Sequence, residues 1–438
     1  MQPNLPASST DLPGTLRQPS VATLGRFRWR IGALIAFANT INYIDRQVLG
    51  LLAPDLQRQF GWSEVEYGYI VTAFQGAFAV GYLLFGWFID RYGTKIGYAL
   101  ALTLWSLAAM GHGWARSVVQ FGLARAVLGL GEGGNTPAAI KAFSEYFPKR
   151  ERAFITGIFT AGSSLGAVLA PIVVPLLAVT FGWPMAFFVT GGLGLLWLIG
   201  WWAWYERPEA QKRLSASELA YIRSDGDVAT GPAPTWASLL RYRATWAFVL
   251  AKFLTDPIFW FYLYWLPKFL QKQYGLNITA SIGPLVFIYS VVAIGGTVGG
   301  WLSSRLLQRG WSVNRSRKSV MLASALLITP IIGAAFTQNL WLAVCLIALA
   351  AAAHQSWSAV LFTTVSDQFP QQAVASVVGI GGMAGAAGGM LIATATGYLL
   401  DATGSYLLIF AVAASIYLVA LGLFQWLVPT LKGNIQGL

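Results

Sequence analysis

The sequence predicts an all-α integral membrane protein, with twelve transmembrane helices in two six-helix, pseudo-symmetric bundles. Three observations carry this reading. The 438-residue chain is 56% hydrophobic and 11% charged, where an ordinary soluble domain carries about 25% charged residues. Its apolar residues fall into twelve runs, each near the ~20 residues that cross a bilayer as a helix. A polar stretch in the middle splits the runs six and six. Mean hydropathy is +0.58, so lipid is the expected solvent.

In chain order, residues 1–25 are rich in Pro, Ser and Thr and contain no apolar segment. They read as a disordered cytoplasmic tail, not a cleaved signal peptide, which leaves the first span as an uncleaved insertion signal. The spans lie at roughly 28–52, 66–89, 96–115, 118–144, 153–180 and 184–205, all within a first bundle at 26–206. The next six lie at roughly 244–270, 280–307, 319–337, 340–366, 374–400 and 405–428, within a second bundle at 243–430. Residues 207–242 form a cytoplasmic linker containing Pro208, Pro232 and Pro234, and 431–438 form a short cytoplasmic tail. Within the linker, Ser215-Ala-Ser-Glu218 precedes Leu219 and Ile222. This is a capping box opening a short surface helix. No segment reads as a soluble catalytic domain.

Charge sorts the connections. Arg26, Arg28 and Arg30, then Arg91 and Lys95, Lys149, Arg150 and Arg152, the linker cations, and Arg305 to Lys318 all fall on one side; the alternate side holds Arg58, Arg116, Lys268 and Lys272. By the positive-inside rule both termini and the linker are cytoplasmic. The net charge of +12 therefore reflects topology, and no nucleic-acid partner is expected. One cysteine, Cys345, excludes an internal disulfide framework, and two histidines beside it supply no zinc cluster. No P-loop is present, which argues against ATP-driven pumping. Gly129-Leu-Gly131-Glu-Gly133 follows no strand, so its small residues mean close helix packing.

Against this apolar background one cluster stands out. Asn42-Tyr43-Ile44-Asp45-Arg46 lies inside the first run, and Arg125 and Glu132 lie inside the fourth. A charged residue at mid-membrane costs about 2.5–3.5 kcal/mol on insertion scales, and such residues by default mark a proton or substrate pathway. Adjacent helical residues differ by about 100°, so Asp45 and Arg46 cannot face one neighbour together. One arrangement turns Arg46 into a central cavity and Asp45 toward the fourth span. Arg125 and Glu132 are seven apart, on one face about two turns apart. Desolvation favours a neutral carboxyl and a nearby arginine favours a charged one, a balance suited to a group that gains and loses protons. The alternative is a static ion-pair network that locks the half together.

The connection after the second span reads Gly86-x-x-x-Asp90-Arg91-x-Gly93-x-Lys95, and the eighth span ends on the related Gly300-Trp-Leu-Ser-Ser-Arg305. In a six-plus-six chain this pattern resembles the major facilitator superfamily, over essentially the whole length. The resemblance implies the major facilitator fold and a gating role for Asp90 and Arg91; a topology charge cluster without that role is the alternative. Asn-Tyr-x-Asp-Arg on the first span and Arg-x-x-x-Gly-x-x-Glu on the fourth resemble the anion:cation symporter family within it. That implies proton coupling by Asp45 and Glu132, and binding of a carboxylate-bearing substrate by Tyr43, Arg46 and Arg125. Arginine's bidentate donor geometry suits a carboxylate.

Lys252-Phe-Leu-Thr-Asp256-Pro-Ile-Phe-Trp-Phe-Tyr-Leu-Tyr-Trp-Leu-Pro267 and His354-Gln-Ser-Trp-Ser-Ala-Val-Leu-Phe-Thr-Thr-Val-Ser-Asp367 resemble the hexuronate-transporter branch. Trp260, Tyr262, Tyr264 and Trp357 offer aromatic faces, and Gln355, Ser356 and Ser358 offer hydrogen bonds for hydroxyls. Any single one of these aromatics could equally be core packing or an interfacial belt. Lys252 and Asp256, at i and i+4, can pair on one face. Relatives that carry galactonate differ where this chain has Ser163, Gly382 and, close to Gln75, Phe78. This weighs against galactonate and leaves Gln75 and Ser163 as candidate binding positions. His354 is a candidate cavity residue or a packing histidine, with no proton transfer assigned. His112 reads as packing, and Lys141 and Glu145 as snorkelling or locally paired charges.

The expectation is a proton-coupled symporter that imports a sugar acid anion by alternating access, a hexuronate (glucuronate or galacturonate) first and an aldonate (galactonate or gluconate) second. It needs no cofactor beyond the coupling proton and no metal. It sits as a monomer in the lipid bilayer of a bacterial inner membrane, with both termini cytoplasmic. Two other classes remain: a membrane-embedded enzyme using Asp45 and Glu132 as a carboxylate pair, and a non-transporting sensor. Neither has positive support in the sequence.

Overall fold

The computed structural model describes residues 25–224, 236–369 and 371–431. The N-terminal tail up to residue 24, the linker stretch with Pro232 and Pro234, and residues 432–438 lie outside the described residues. The first half contains α1 (Phe27–Phe60), α2 (Glu64–Tyr92), α3 (Thr94–Gly111), α4 (Val118–Glu132), α5 (Asn135–Tyr146), α6 (Lys149–Phe181) and α7 (Trp183–Trp204). Two short helices follow, α8 (Ala216–Ile222) and α9 (Trp236–Leu239). The second half contains α10 (Arg243–Tyr274), α11 (Ile282–Gln308), α12 (Val313–Ile328), α13 (Leu340–Gln368), α14 (Gln371–Thr403) and α15 (Leu407–Leu427).

Among the described residues, nine helices are long and apolar enough to cross a membrane. The other three spans are α1, rich in buried polar groups, the short α3, and the fourth span, built from α4 and α5. Twelve spans result, as expected from the sequence.

Local sequence sets the helix ends. Gly61 (φ 71°) and Gly275 (φ 66°) end α1 and α10 in the left-handed region, their N–H groups donating to the Gln57 and Gln271 carbonyls. Glycine takes this conformation without a Cβ penalty. Ser63 and Glu66 form a complete capping box at the start of α2.

Three expectations need correction. The first span runs to Phe60 rather than ending near residue 52, because Asp55, Gln57 and Arg58 continue the helix until Gly61 stops it. The fourth span is interrupted at Gly133-Gly134 instead of running unbroken from 118 to 144. Its glycines do pack closely: a Cβ on Gly131 would sit 2.7 Å from the Trp105 backbone nitrogen, and one on Gly134 2.7 Å from Ala101 Cβ. The same glycines are poor helix formers. In the linker, Ser215 accepts from the Glu218 N–H at 3.2 Å, but the Glu218 carboxylate does not complete the box. It accepts instead from the N–H groups of Phe27 (3.2 Å) and Arg28 (3.1 Å), capping α1 from 190 residues away. Arg28 adds side-chain contacts to Glu218 (3.1 Å) and Glu151 (2.9 Å), which ties linker, first span and fifth span together.

The halves repeat one packing scheme. In the first, α1 packs on α6, α2 on α4 and α3 on α7. In the second, α10 packs on α14, α11 on α13 and α12 on α15. As spans, these are one with five, two with four and three with six, then the same pattern six later. Between the halves, α2 meets α14, α1 meets α10 and α6 meets α11.

The contacts between α2 and α14 or α10 gather near the start of α2, on the face opposite the described chain ends. Lys268 pairs with Glu64, and Asp401 accepts from the Glu64 N–H at 3.0 Å. The Tyr67 hydroxyl donates to the Tyr264 carbonyl at 2.7 Å, and the Thr72 and Thr394 hydroxyls are 2.9 Å apart. Toward the face carrying the chain ends, the halves separate around Tyr82, Gly86, Asp90, Ile140, Lys141 and Phe369. The protein is closed on one face and open on the other.

Candidate functional site

Where the halves diverge they enclose a cavity of about 390 Å³. Asn39, Asn42, Tyr43 and Arg46 of α1 reach it from a single helix face, at i, i+3, i+4 and i+7. Phe78 and Tyr82 of α2, Glu132 of α4, Asn135 of α5 and Ser163 of α6 complete the wall from the first half. Lys252, Asp256, Phe259 and Trp260 of α10, His354, Gln355 and Ser358 of α13, and Gly382 of α14 form the other wall.

Arg46 is the centre of the first wall. Its Nη2 lies 2.7 Å and its Nε 2.8 Å from Glu132 Oε2, and Nη2 also donates to Asn42 Oδ1 at 3.2 Å. The rings of Tyr43 (4.8 Å), Phe78 (5.0 Å), Phe74 (5.5 Å) and Trp260 (5.6 Å) surround the guanidinium. Such a cage excludes water and strengthens the charge interaction it encloses. Glu132 Oε1 has no hydrogen-bond partner among the described residues. Nearby, Asn135 donates to Asn39 at 2.9 Å and accepts from the Tyr98 hydroxyl at 2.6 Å, while Asn39 donates to the Phe159 carbonyl at 2.6 Å. This ladder fixes α1 against the third, fourth and fifth spans.

Asp45 is buried and off the cavity lining, turned toward the fourth span as expected. Its polar neighbours are Thr190 on α7, Glu132 and Arg125, and neither carboxylate oxygen makes a hydrogen bond within normal distance. Arg125 is fully buried, and the structure does not bring it to the cavity. It lies under the rings of Phe74 (4.9 Å) and Tyr264 (5.7 Å) and donates to the Arg46 carbonyl at 2.5 Å.

Gln75 and Tyr264 likewise sit outside the lining. Helix direction explains all three. Gln75, Arg125 and Tyr264 each lie one or two turns nearer the closed face than Phe78, Glu132 and Trp260, so they form the floor beneath the cavity. Tyr264 stacks parallel to Trp260 with centroids 6.0 Å apart. Trp357 is off the cavity for another reason: it points away from the face shared by His354, Gln355 and Ser358 and packs edge-on against Tyr417. Tyr43, Arg46, Glu132, Ser163, Trp260, His354, Gln355 and Ser358 are the predicted positions that line it. His354 both lines the cavity and packs, stacking on Phe259 at 5.1 Å and meeting the Tyr417 hydroxyl through Nδ1 at 2.6 Å.

At the open end, Asp90 pairs with Lys141 at 2.6 Å, and Arg91 lies over the Tyr92 ring at 5.8 Å. Lys141, read from the sequence as a snorkelling or locally paired charge, is paired, and its partner is Asp90. Sequence reasoning missed Asn39 and Asn135. The signal for Asn39 was its spacing from Asn42, Tyr43 and Arg46. Lys252 and Asp256 form the expected pair at 2.6 Å, and the pair faces the cavity.

Comparison with known proteins agrees with this architecture. The family model described as Major Facilitator Superfamily matches residues 35–312. A hexuronate transporter of Escherichia coli strain K12 is 34% identical over 385 residues, covering 86% of this chain and 88% of that protein. A D-galactonate transporter of Escherichia coli O6:H1 is 28% identical over 407 residues, covering 90% and 93%. Among solved structures, a D-xylose–proton symporter superposes with a TM-score of 0.74 at 16% identity, over 93% of this chain and 99% of that one. The shared helices, the repeated halves and the extent of these matches make this chain a member of the major facilitator superfamily, a membrane transporter and not an enzyme.

Proposed function

We propose that the protein is a proton-coupled symporter that imports a hexuronate across a bacterial inner membrane. The observation that carries this reading is the Arg46–Glu132 pair, set in the cavity wall between the halves. Arginine is the side chain suited to a carboxylate, yet here Glu132 already occupies it. A proton on Glu132 removes that competitor and frees Arg46 for the substrate anion. Proton and anion then load together, and the halves rock to carry both across. Asp45, buried behind the pair with Thr190 and Arg125, is the second proton carrier. Arg125 acts through Arg46, whose backbone it holds. Trp260, Gln355, Ser358 and Ser163 supply an aromatic face and polar groups for the sugar.

The basic connections lie on the face of the chain ends, which supports a cytoplasmic assignment for that face. The state described is then open to the cytoplasm, and Asp90–Lys141 stands at its mouth, where Asp90 and Arg91 would engage the second half on closure. The monomer holds the whole cavity. A second reading, an aldonate, is favoured by the D-galactonate transporter relative. Counterflow in proteoliposomes against glucuronate, galacturonate, galactonate and gluconate tests both. Exchange of hexuronates is expected. Exchange restricted to aldonates selects the second reading, and exchange of none overturns both.

A further inference from the structure

The second wall carries an ion pair that the scheme above leaves unused. Lys252 Nζ and Asp256 Oδ2 are 2.6 Å apart on one face of α10, and both residues line the cavity. The side chains are only 8% and 16% exposed, so the pair is held in the wall and not splayed into open water. Two neighbours shape its seat. Phe362 presents its ring to the ammonium at 4.6 Å. Gly385 of α14 backs the carboxylate so closely that a Cβ there would lie 3.0 Å from Asp256 Cγ. Any larger residue at 385 would push Asp256 out of place.

We propose that Lys252 and Asp256 form the hydroxyl-binding subsite of this cavity, taking vicinal hydroxyls of the sugar acid while Arg46 takes its carboxylate. The proposal rests on the sugar acid reading above and adds which residues recognise the sugar.

The charge balance favours hydroxyls over a second anion here. Lys252 is already neutralised by Asp256, so the pair presents no net positive charge. It does present a strong donor beside a strong acceptor. The ammonium has three hydrogens, of which the pair uses one, and Asp256 Oδ1 takes no part in the pair. Neighbouring hydroxyls, each donor and acceptor at once, match that pattern. Spacing agrees with it. Trp260 is one turn further along α10, about 6 Å by helix rise, and its ring also flanks Arg46 at 5.6 Å. A sugar ring lying on Trp260 has its carboxylate end toward Arg46 and its hydroxyl end toward Asp256. His354, Gln355 and Ser358 close that end from α13.

The test compares ligands that share the carboxylate and differ in hydroxyls. Glucuronate, galacturonate and the hydroxyl-free tetrahydropyran-2-carboxylate are titrated against wild type, Asp256→Asn, and the double variant Lys252→Gln/Asp256→Asn. The double variant leaves no lone buried charge, which guards against misfolding; thermal unfolding confirms that it is folded. Sites that hydrogen-bond a substrate hydroxyl discriminate strongly against analogues lacking it. Wild type should therefore prefer a hexuronate over the hydroxyl-free acid by about a hundredfold or more. In both variants hexuronate affinity should fall at least about tenfold, with the hydroxyl-free acid little changed, so that the preference collapses. A preference that survives in the folded double variant overturns the subsite, as does an equal loss for all ligands. If wild type binds no hexuronate, or binds the hydroxyl-free acid as well as the sugars, the sugar acid reading falls with it.

Discussion

Arg125 Nη2 donates to the backbone carbonyl of Arg46 at 2.5 Å, so one buried arginine supports the other. Motif resemblance gives the two the same task. Their positions divide it: Arg46 lines the cavity, and Arg125 lies in the floor with its Nε and Nη1 unpartnered among the described residues.

Arg125→Ala removes a charged donor that the Arg46 carbonyl has in addition to its helical backbone partner, a loss of about 1.5–3 kcal/mol. The variant should unfold at a lower temperature and bind the anion more weakly, because Arg46 loses its backbone support. Thermal shift and calorimetry on purified protein read both. Normal binding by a variant of wild-type stability would remove the supporting role.

Glu132→Gln should separate binding from pH. On the proposed scheme a proton on Glu132 frees Arg46, so anion affinity of the wild type should rise as pH falls. Glutamine keeps the shape but never competes as an anion, so the variant should bind tightly with a flat pH profile. Titration of binding across pH checks this; a wild-type profile in the variant contradicts it.

Asp45→Asn should abolish accumulation driven by a pH gradient and spare counterflow, which needs no net proton movement. Asparagine preserves the packing against Thr190 but cannot carry a proton. Uptake into proteoliposomes, with and without an imposed gradient, distinguishes the two activities. Undiminished gradient-driven accumulation would exclude Asp45 from coupling.

The hydroxyls of Thr72 and Thr394 are 2.9 Å apart across the closed face. With Cys345 replaced by Ser, the pair Thr72→Cys/Thr394→Cys should form a disulfide on mild oxidation. Transport should stop and return on reduction, because α2 and α14 must part for the other face to open. Full transport by the cross-linked protein would show that this contact persists through the cycle.

Much of this site is legible in the sequence, and the limits have physical causes. Asn39, Asn42, Tyr43 and Arg46 repeat at helical spacing inside an apolar run, which marks both the span and its polar face. Lys252 and Asp256 are readable as a pair from their spacing of four, but only the seating of α10 shows that the pair faces the cavity. Gln75, Arg125 and Tyr264 read as cavity residues and form the floor. Periodicity gives the face a residue occupies, whereas depth relative to the closed end depends on how the halves meet. The glycines around residue 131 signal close packing, and the break at Gly133-Gly134 is the other consequence of the same composition. Glu218 misled for a different reason. Its local partner, Ser215, is visible in sequence, and its tertiary partners on α1 are not.

That seat of Glu218 on α1 bears on how the halves can move. The connection from α7 onward is moored to the first half as far as α8, through Phe27, Arg28 and the Arg28–Glu151 contact. Up to Ile222, therefore, the connection belongs to the first half and stays with it. Extra residues inserted ahead of α8 would lengthen a strap already tied down at its far end, and would add no freedom between the halves.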